Sequence, residues 1–137
     1  FDRAVEVRDV MKRAIRPAPT AREALERTWE ALEEAGFNRI EFNQPSDDPS
    51  VTDVVLGPHS VGNWGHGFGP SLAFFNPVRQ GYELRSNTLI SVELFAYTAN
   101  PAWGGAKVRI PLEDDAVVTE RGVEWLYPPA DRSLLVR

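Results

Sequence analysis

His59, His66, Glu93 and Glu113 have the side-chain chemistry and setting of an active site. They lie in the segments His59-Ser-Val-Gly62-Asn-Trp-Gly-His66, Ile90-Ser-Val-Glu93-Leu and Leu112-Glu113-Asp-Asp115-Ala-Val-Val-Thr119-Glu-Arg-Gly122. Two imidazoles and two carboxylates, in three separate segments of apolar or Gly-rich context, form the donor set that a hard divalent cation draws on. Their joint presence points to a metallohydrolase site.

Each residue taken singly has a plainer explanation. A lone His in a Gly-rich loop is more often a turn residue with satisfied hydrogen bonds. Glu93 carries more weight, because it interrupts the apolar run Leu89-Ile-Ser-Val-Glu-Leu-Phe-Ala-Tyr97. A buried ionised carboxylate costs several kcal/mol unless a cation compensates it, whether a metal or an arginine. Glu113-Asp114-Asp115 alone reads as a solvated acidic turn. Placed just before the Ala-Val-Val-Thr run, Glu113 is expected at the mouth of a strand, projecting into a cleft.

Other chemistries fit poorly. In Gly65-His-Gly67-Phe-Gly69-Pro70 a proline stands where a dinucleotide fingerprint has its third glycine, and no strand-to-helix context flanks it. No Gly-x-Ser-x-Gly elbow is present. With no cysteine there is no thiolate metal site, disulfide or Cys nucleophile, which is compatible with a reducing compartment. The formal net charge of −5, from 15 basic and 20 acidic side chains, with no basic stretch, argues against nucleic acid as a partner. No apolar run approaches the roughly 20 residues of a membrane span, and the expected setting is soluble and cytoplasmic.

The positioning elements follow from periodicity. The 137 residues, 42% of them hydrophobic, fit one domain. Ala4, Val7, Val10, Met11, Ala14 and Ile15 mark a helix over Asp2 to Arg16, ended by Pro17 and Pro19. Thr20 and Glu23 form a capping-box signature, and Leu25, Thr28, Trp29, Leu32 and Ala35 mark a second helix stopped by Gly36. Short strands are expected at Arg39 to Phe42 and Val51 to Leu56, separated by a loop over Gln44 to Pro49. Five glycines between Gly57 and Gly69 suit an irregular backbone that comes close to something. Leu89 to Thr98 is the strongest strand, Lys107 to Ile110 another, Ala116 to Thr119 and Val123 to Tyr127 a hairpin, and Ser133 to Val136 a last strand. The fold class is α+β, with two N-terminal helices packed on a curved, mostly antiparallel sheet.

Taken together, the His-x-x-Gly-x-x-x-His pattern of His59, Gly62 and His66, the strand residue Glu93, and the Glu-Asp-Asp to Val-Thr-Glu-x-Gly stretch from Glu113 to Gly122 resemble the creatinase/aminopeptidase family. This is the pita-bread fold of methionine aminopeptidases, prolidases and Xaa-Pro aminopeptidases. Residues 1–137 resemble the C-terminal part of its catalytic domain, nearest the Xaa-Pro branch. The resemblance implies a peptide or small amide substrate and two divalent ions, manganese, cobalt or zinc. His59, Glu93 and Glu113 would be metal ligands, and His66 and Glu93 catalytic residues. The implied mechanism is a two-metal one, in which paired ions polarise the scissile carbonyl and acidify a water.

Departures accompany the resemblance. Two aspartate ligands that the family carries ahead of the helices have no counterpart here, and the chain opens at Phe1 without Met. The expectation is a piece of a longer protein that binds metal weakly and hydrolyses nothing without the missing N-terminal part. In a second register His66 becomes the ligand and Ala73 takes the second-histidine place. A creatinase-like hydrolase of a small C–N compound, with His66 alone in acid-base work, and a non-catalytic pseudo-peptidase are the competing functions. Trp29 and Trp125 read as core; Trp64 and Trp103 read as walls of a substrate pocket or a homodimer contact.

Overall fold

The computed structural model describes residues 1–62 and 65–133. Helix α1 spans Asp2–Ala14 and buries Ala4, Val7, Arg8, Met11 and Ala14 along one stripe. Helix α2 spans Ala21–Glu34, and its N-cap is the expected one: the Thr20 hydroxyl accepts from the Glu23 amide at 3.2 Å. Gly36, at φ +82°, ends it in the left-handed region. Arg27 of α2 donates to the carbonyls of Ala14 and Arg16, satisfying the open end of α1 and tying the helices together.

The strands are β1 Phe37–Arg39, β2 Thr52–Leu56, β3 His59–Ser60, β4 Leu89–Ala99, β5 Lys107–Thr119 and β6 Gly122–Trp125. They form one sheet in the order β1-β2-β4-β5-β6, with β3 beside β4 on the same side as β2. Only the β1–β2 pair is parallel. A single-turn helix, α3 at Pro77–Gln80, was not legible in the periodicity. Among the described residues no helix is long and apolar enough to cross a membrane.

Successive strand residues point to opposite faces. One row of the sheet, Val54 and Leu56 of β2, Ile90, Val92, Leu94 and Ala96 of β4, and Ala116 and Val118 of β5, is buried in a core with Val7, Met11, Leu25, Trp29 and Leu32 of the helices. The helices cover that face alone. The intervening residues Ser91, Glu93, Phe95 and Tyr97 of β4, with Glu113 and Asp115 of β5, therefore lie together on the opposite face, where polar groups persist without entering the core.

Three expectations change. The first strand is Phe37–Arg39 instead of Arg39 to Phe42, sharing only Arg39 with the expected one, and Phe42 and Asn43 adopt φ of 55° and 53°, outside extended geometry. The strands expected at Lys107 to Ile110 and Ala116 to Thr119 are one strand, so Glu113 sits mid-strand and not at a strand mouth. The acidic triplet does not form a turn because alternation separates it: Glu113 and Asp115 face outward, and Asp114 faces the helices, where Arg8 pairs with it. Pro111 is tolerated within β5 because β6 pairs only with Ala116 to Thr119, leaving the outer edge there without a strand partner among the described residues. The third is the hairpin's second strand, which ends at Trp125. The strand expected at Ser133 to Val136 lies, beyond Ser133, outside the described residues.

Candidate metal centre

β2 and β3 continue one line along β4, broken at Gly57-Pro58, and this break shapes the site. Gly57 donates its amide to the Glu93 carbonyl at 3.0 Å, and a Cβ on Gly57 would lie 2.7 Å from Glu93 Oε2. The absence of a side chain there leaves room for the Glu93 carboxylate. After the break, His59 pairs with Ser91 and also bridges to Ser71 on the returning chain. Gly67 packs against the Val61 carbonyl and Ser60 Oγ, at 2.8 and 3.0 Å from an imagined Cβ, so the reversal from His59 to His66 needs glycine. Arg79 clamps the loop, donating to the Gly69 carbonyl at 2.8 Å and to Ser60 Oγ at 2.9 Å.

Register then brings the three candidate ligands together. Glu93 and Glu113 are directly opposed across β4 and β5, and His59 lies one pleat along, beside Ser91. His59 Nε2 is 3.8 Å from Glu93 Oε2 and 3.8 Å from Glu113 Oε1. One ligand atom from each of the three residues lies within 4.8 Å of the others. The His66 ring packs on that of His59, centroids 4.5 Å apart, and is itself exposed. A cavity of about 260 Å³ opens beside them, with Asp115 and Tyr127 on its far wall.

The protonation of His59 decides what this cluster can do. Nδ1 lies 3.2 Å from the Ser60 carbonyl, which an N–H at that position satisfies. With the proton on Nδ1, Nε2, which is buried and has no hydrogen-bond partner among the described residues, would turn a lone pair toward two carboxylate oxygens. Neutral imidazole oriented through its other nitrogen is the usual metal-ligand form. Two donors on one ion at about 2.1 Å stand roughly 3 Å apart at right angles, so small rotations of the two carboxylates close this set. The residues fit a divalent cation.

Glu93 bears the cost of the arrangement. Burial raises its pKa above the ordinary value, the Glu113 charge raises it further, and His59, His66 and Arg109 act the other way. A carboxyl whose pKa is raised by folding destabilises the fold as pH climbs from its ordinary value of 4.5 through the raised one. In chelator, Glu93→Gln is therefore expected to be more stable than the parent at neutral pH by about 0.5 kcal/mol, the scale of a like-charge cross-strand pair. The advantage should disappear below the ordinary value, and melting curves at the two pH values check it.

The glycine contact makes a separate prediction. Gly57 has no positive φ to forbid alanine. Gly57→Ala should therefore leave the melting temperature nearly unchanged while its methyl pushes the carboxylate of Glu93 aside, lowering metal affinity about tenfold, as loss of a supporting contact does. Calorimetric titration with Mn²⁺ is the check.

The structure groups His59, Glu93 and Glu113, with the His66 ring against that of His59. In the second register His66 would carry the ligand role, but it is His59 that faces both carboxylates. Trp103 is 65% exposed at the far end of the β4–β5 hairpin, roughly 20 Å of strand from Glu93, and does not line the cavity. Trp29 is buried, Trp125 partly so against the core, and Trp64 lies outside the described residues. Sequence reasoning missed Ser91, whose hydroxyl donates to Glu113 Oε1 at 2.9 Å. Its place two residues before Glu93, on the same strand face, was the available signal.

No protein-family model and no curated protein matches the sequence. Solved structures do match the fold. X-Pro aminopeptidase from Thermotoga maritima MSB8 aligns with 92% of this chain and 29% of its own, at TM-score 0.54 and 21% identity. The prolidase from Pyrococcus horikoshii OT3 aligns with 92% of this chain and 30% of its own, at TM-score 0.56 and 19% identity. Prolidase from Pyrococcus furiosus aligns with 88% of this chain and 30% of its own, at TM-score 0.53 and 22% identity. The chain spans about 30% of the length of these structures, and its two helices on a curved sheet are the α+β, pita-bread arrangement found in that part of each.

Proposed function

We propose that residues 1–137 are the C-terminal portion of the catalytic domain of a metal-dependent aminopeptidase or dipeptidase, acting near the substrate N-terminus and of Xaa-Pro type. The observation that carries this is the buried Nε2 of His59, without a hydrogen-bond partner among the described residues and 3.8 Å from both Glu93 Oε2 and Glu113 Oε1. His59, Glu93 and Glu113 would hold a divalent ion, manganese, cobalt or zinc, with a second ion in the intact protein. Bound there, such ions supply Lewis acidity toward the scissile carbonyl and acidify a water. Glu93, mid-strand and half-buried, takes up and returns a proton at its carboxylate. His66, exposed beside His59, donates a hydrogen bond to the substrate oxygen as charge develops on it. The cavity lined by His66, Asp115 and Tyr127 receives the end of a peptide.

A metal-free, creatinase-like site has no use for two carboxylates opposed across a strand pair with an imidazole converging on them. That convergence favours the metal reading. With three donors, this chain alone binds metal weakly and turns over no substrate. The lack of cysteine fits a reducing, cytoplasmic setting. The test is hydrolysis of Xaa-Pro dipeptides, longer Xaa-Pro peptides and creatine with Mn²⁺, by this chain and by the longer protein that contains it. Peptide hydrolysis by the longer protein alone, lost in Glu93→Gln, supports the reading. Hydrolysis of creatine alone, or of nothing by a protein that binds metal through His59, overturns it.

A further inference from the structure

Beneath the metal face, the buried pair of Arg8 and Asp114 joins the middle of α1 to the middle of β5. Arg8 Nη1 lies 3.0 Å from Asp114 Oδ2, with the arginine side chain 3% and the aspartate side chain 12% exposed. Arg8 is the one charged residue on the buried stripe of α1. Asp114 is the one charged residue in the helix-facing row of β5, where Ile110, Leu112, Ala116 and Val118 are its row neighbours. Opposite it on β4 stands Val92, fully buried. A leucine at this position would complete an apolar row, so the core does not need the pair for its packing.

The hairpin turn over Asn100 to Ala106, where the Asn100 amide donates to the Ala106 carbonyl at 3.0 Å, sets register at the loop end of β4 and β5; toward the metal face, the apolar pattern alone does not. Alternation excludes a one-residue slip of β5 along β4, because such a slip turns every side chain to the other face. A two-residue slip keeps all faces and sets Leu112 or Ala116 where Asp114 was. It would leave Arg8 buried without its partner and move Glu113 a full pleat away from Glu93 and His59. On its outer edge β5 is held only from Asp115 to Thr119 among the described residues, by β6 and by the Leu126 amide on the Asp115 carbonyl at 3.0 Å, and the pairing of Glu93 with Glu113 sets two like charges opposite each other. Glu113 itself is 57% exposed, and its one hydrogen bond among the described residues comes from Ser91.

We propose that Arg8 and Asp114 are positioning residues, a buried register lock that presents Glu113 to the metal site. The proposal rests on the reading of His59, Glu93 and Glu113 as a metal centre, and it assigns to the helix side of the sheet a role in assembling the opposite face. Buried polar pairs specify register elsewhere at little or no gain in stability.

The experiment is a Co²⁺ titration of this chain followed by visible absorption. It compares the parent, His59→Ala, Glu113→Gln, the double variant Arg8→Met/Asp114→Leu, and the triple variant that adds Glu113→Gln to the double. The double variant should fold and yet bind Co²⁺ about tenfold or more weakly. Its saturated spectrum should match that of Glu113→Gln, and the triple variant should bind no more weakly than Glu113→Gln alone, because both changes remove the same contact. Parent-like affinity in the double variant, or a further full loss in the triple, overturns the lock while leaving the metal centre standing. Identical titrations of the parent and His59→Ala overturn the metal centre and the lock with it. Asp114→Asn, which keeps the side-chain volume, carries the same expectations if the double variant does not fold.

Discussion

Replacing His59 by alanine should abolish specific metal binding while leaving the fold almost as stable as before. The loss should exceed the roughly 10–100-fold that removal of an outer-shell partner costs, because Nε2 of His59 is the donor that faces both carboxylates. The small effect on stability has a separate cause. Nε2 is buried without a hydrogen-bond partner in the metal-free chain, and such an atom costs about 1–3 kcal/mol. Alanine removes that cost as it removes the ring's packing, so the two changes largely offset. Calorimetric titration with Mn²⁺ beside a thermal melt in chelator separates them. A large fall in melting temperature with unchanged metal affinity would mark His59 as a structural core residue.

Arg8→Met should do the reverse to stability. It leaves Asp114 in the helix-facing row with no compensating charge, and breaking one side of a buried pair costs about 3–5 kcal/mol. For a domain of this size that is a fall in melting temperature of roughly 10–20 °C. Adding Asp114→Leu should recover most of the loss, since an apolar pair in the row that holds Ile110, Leu112, Ala116 and Val118 packs as its neighbours do. The Arg8 guanidinium also lies 5.9 Å from the Trp125 ring; methionine keeps an apolar contact there. Chemical denaturation of the single and double variants measures both effects, and a single variant as stable as the parent would show that Asp114 reaches water.

These two residues also mark what could be read from the sequence. His59, Glu93 and Glu113 were legible because they fall in distinct patterns: a Gly-rich loop, an apolar run and an acidic triplet. The helices were legible from the three- and four-residue spacing, with Thr20 and Glu23 at the second start and Gly36 at its end. Arg8 was hidden because, although it falls on the buried stripe with Ala4, Val7 and Met11, an arginine there reads as reaching out to water; only the strand register reveals a partner 106 residues away. The continuity of β5 was hidden for the same reason. Pro111 and three consecutive acids read as a break until alternation sends Asp114 to Arg8 and the open outer edge accepts the proline. Ser91 is a hydroxyl in an apolar strand, and its bond to Glu113 exists only once β4 and β5 are paired.

Asp53 shows how the opposite face can hold a charge without a metal. Burial alone would raise its pKa, but hydrogen bonds from Asn38, Lys107 and Ser46 outweigh it and hold the pKa below the ordinary value. Lys107 Nζ lies 2.5 Å away, and Ser46 fixes the loop over Gln44 to Pro49 against the sheet. Glu93 has no such donors among the described residues, and its pKa moves up instead. Two carboxylates on one face thus divide: one is satisfied by protein, and the other is left at a raised pKa by burial and by the Glu113 charge.

The most direct measurement is to add substoichiometric Mn²⁺ to this chain and follow which backbone amides broaden in nuclear magnetic resonance spectra. The account predicts loss of signal first at His59, Ser91, Glu93 and Glu113, with the acidic surface residues Glu33, Glu34, Asp47 and Asp48 unaffected, and recovery of the lost signals in His59→Ala. Broadening that begins on those surface acids, or that persists unchanged in His59→Ala, would contradict a metal centre at this position.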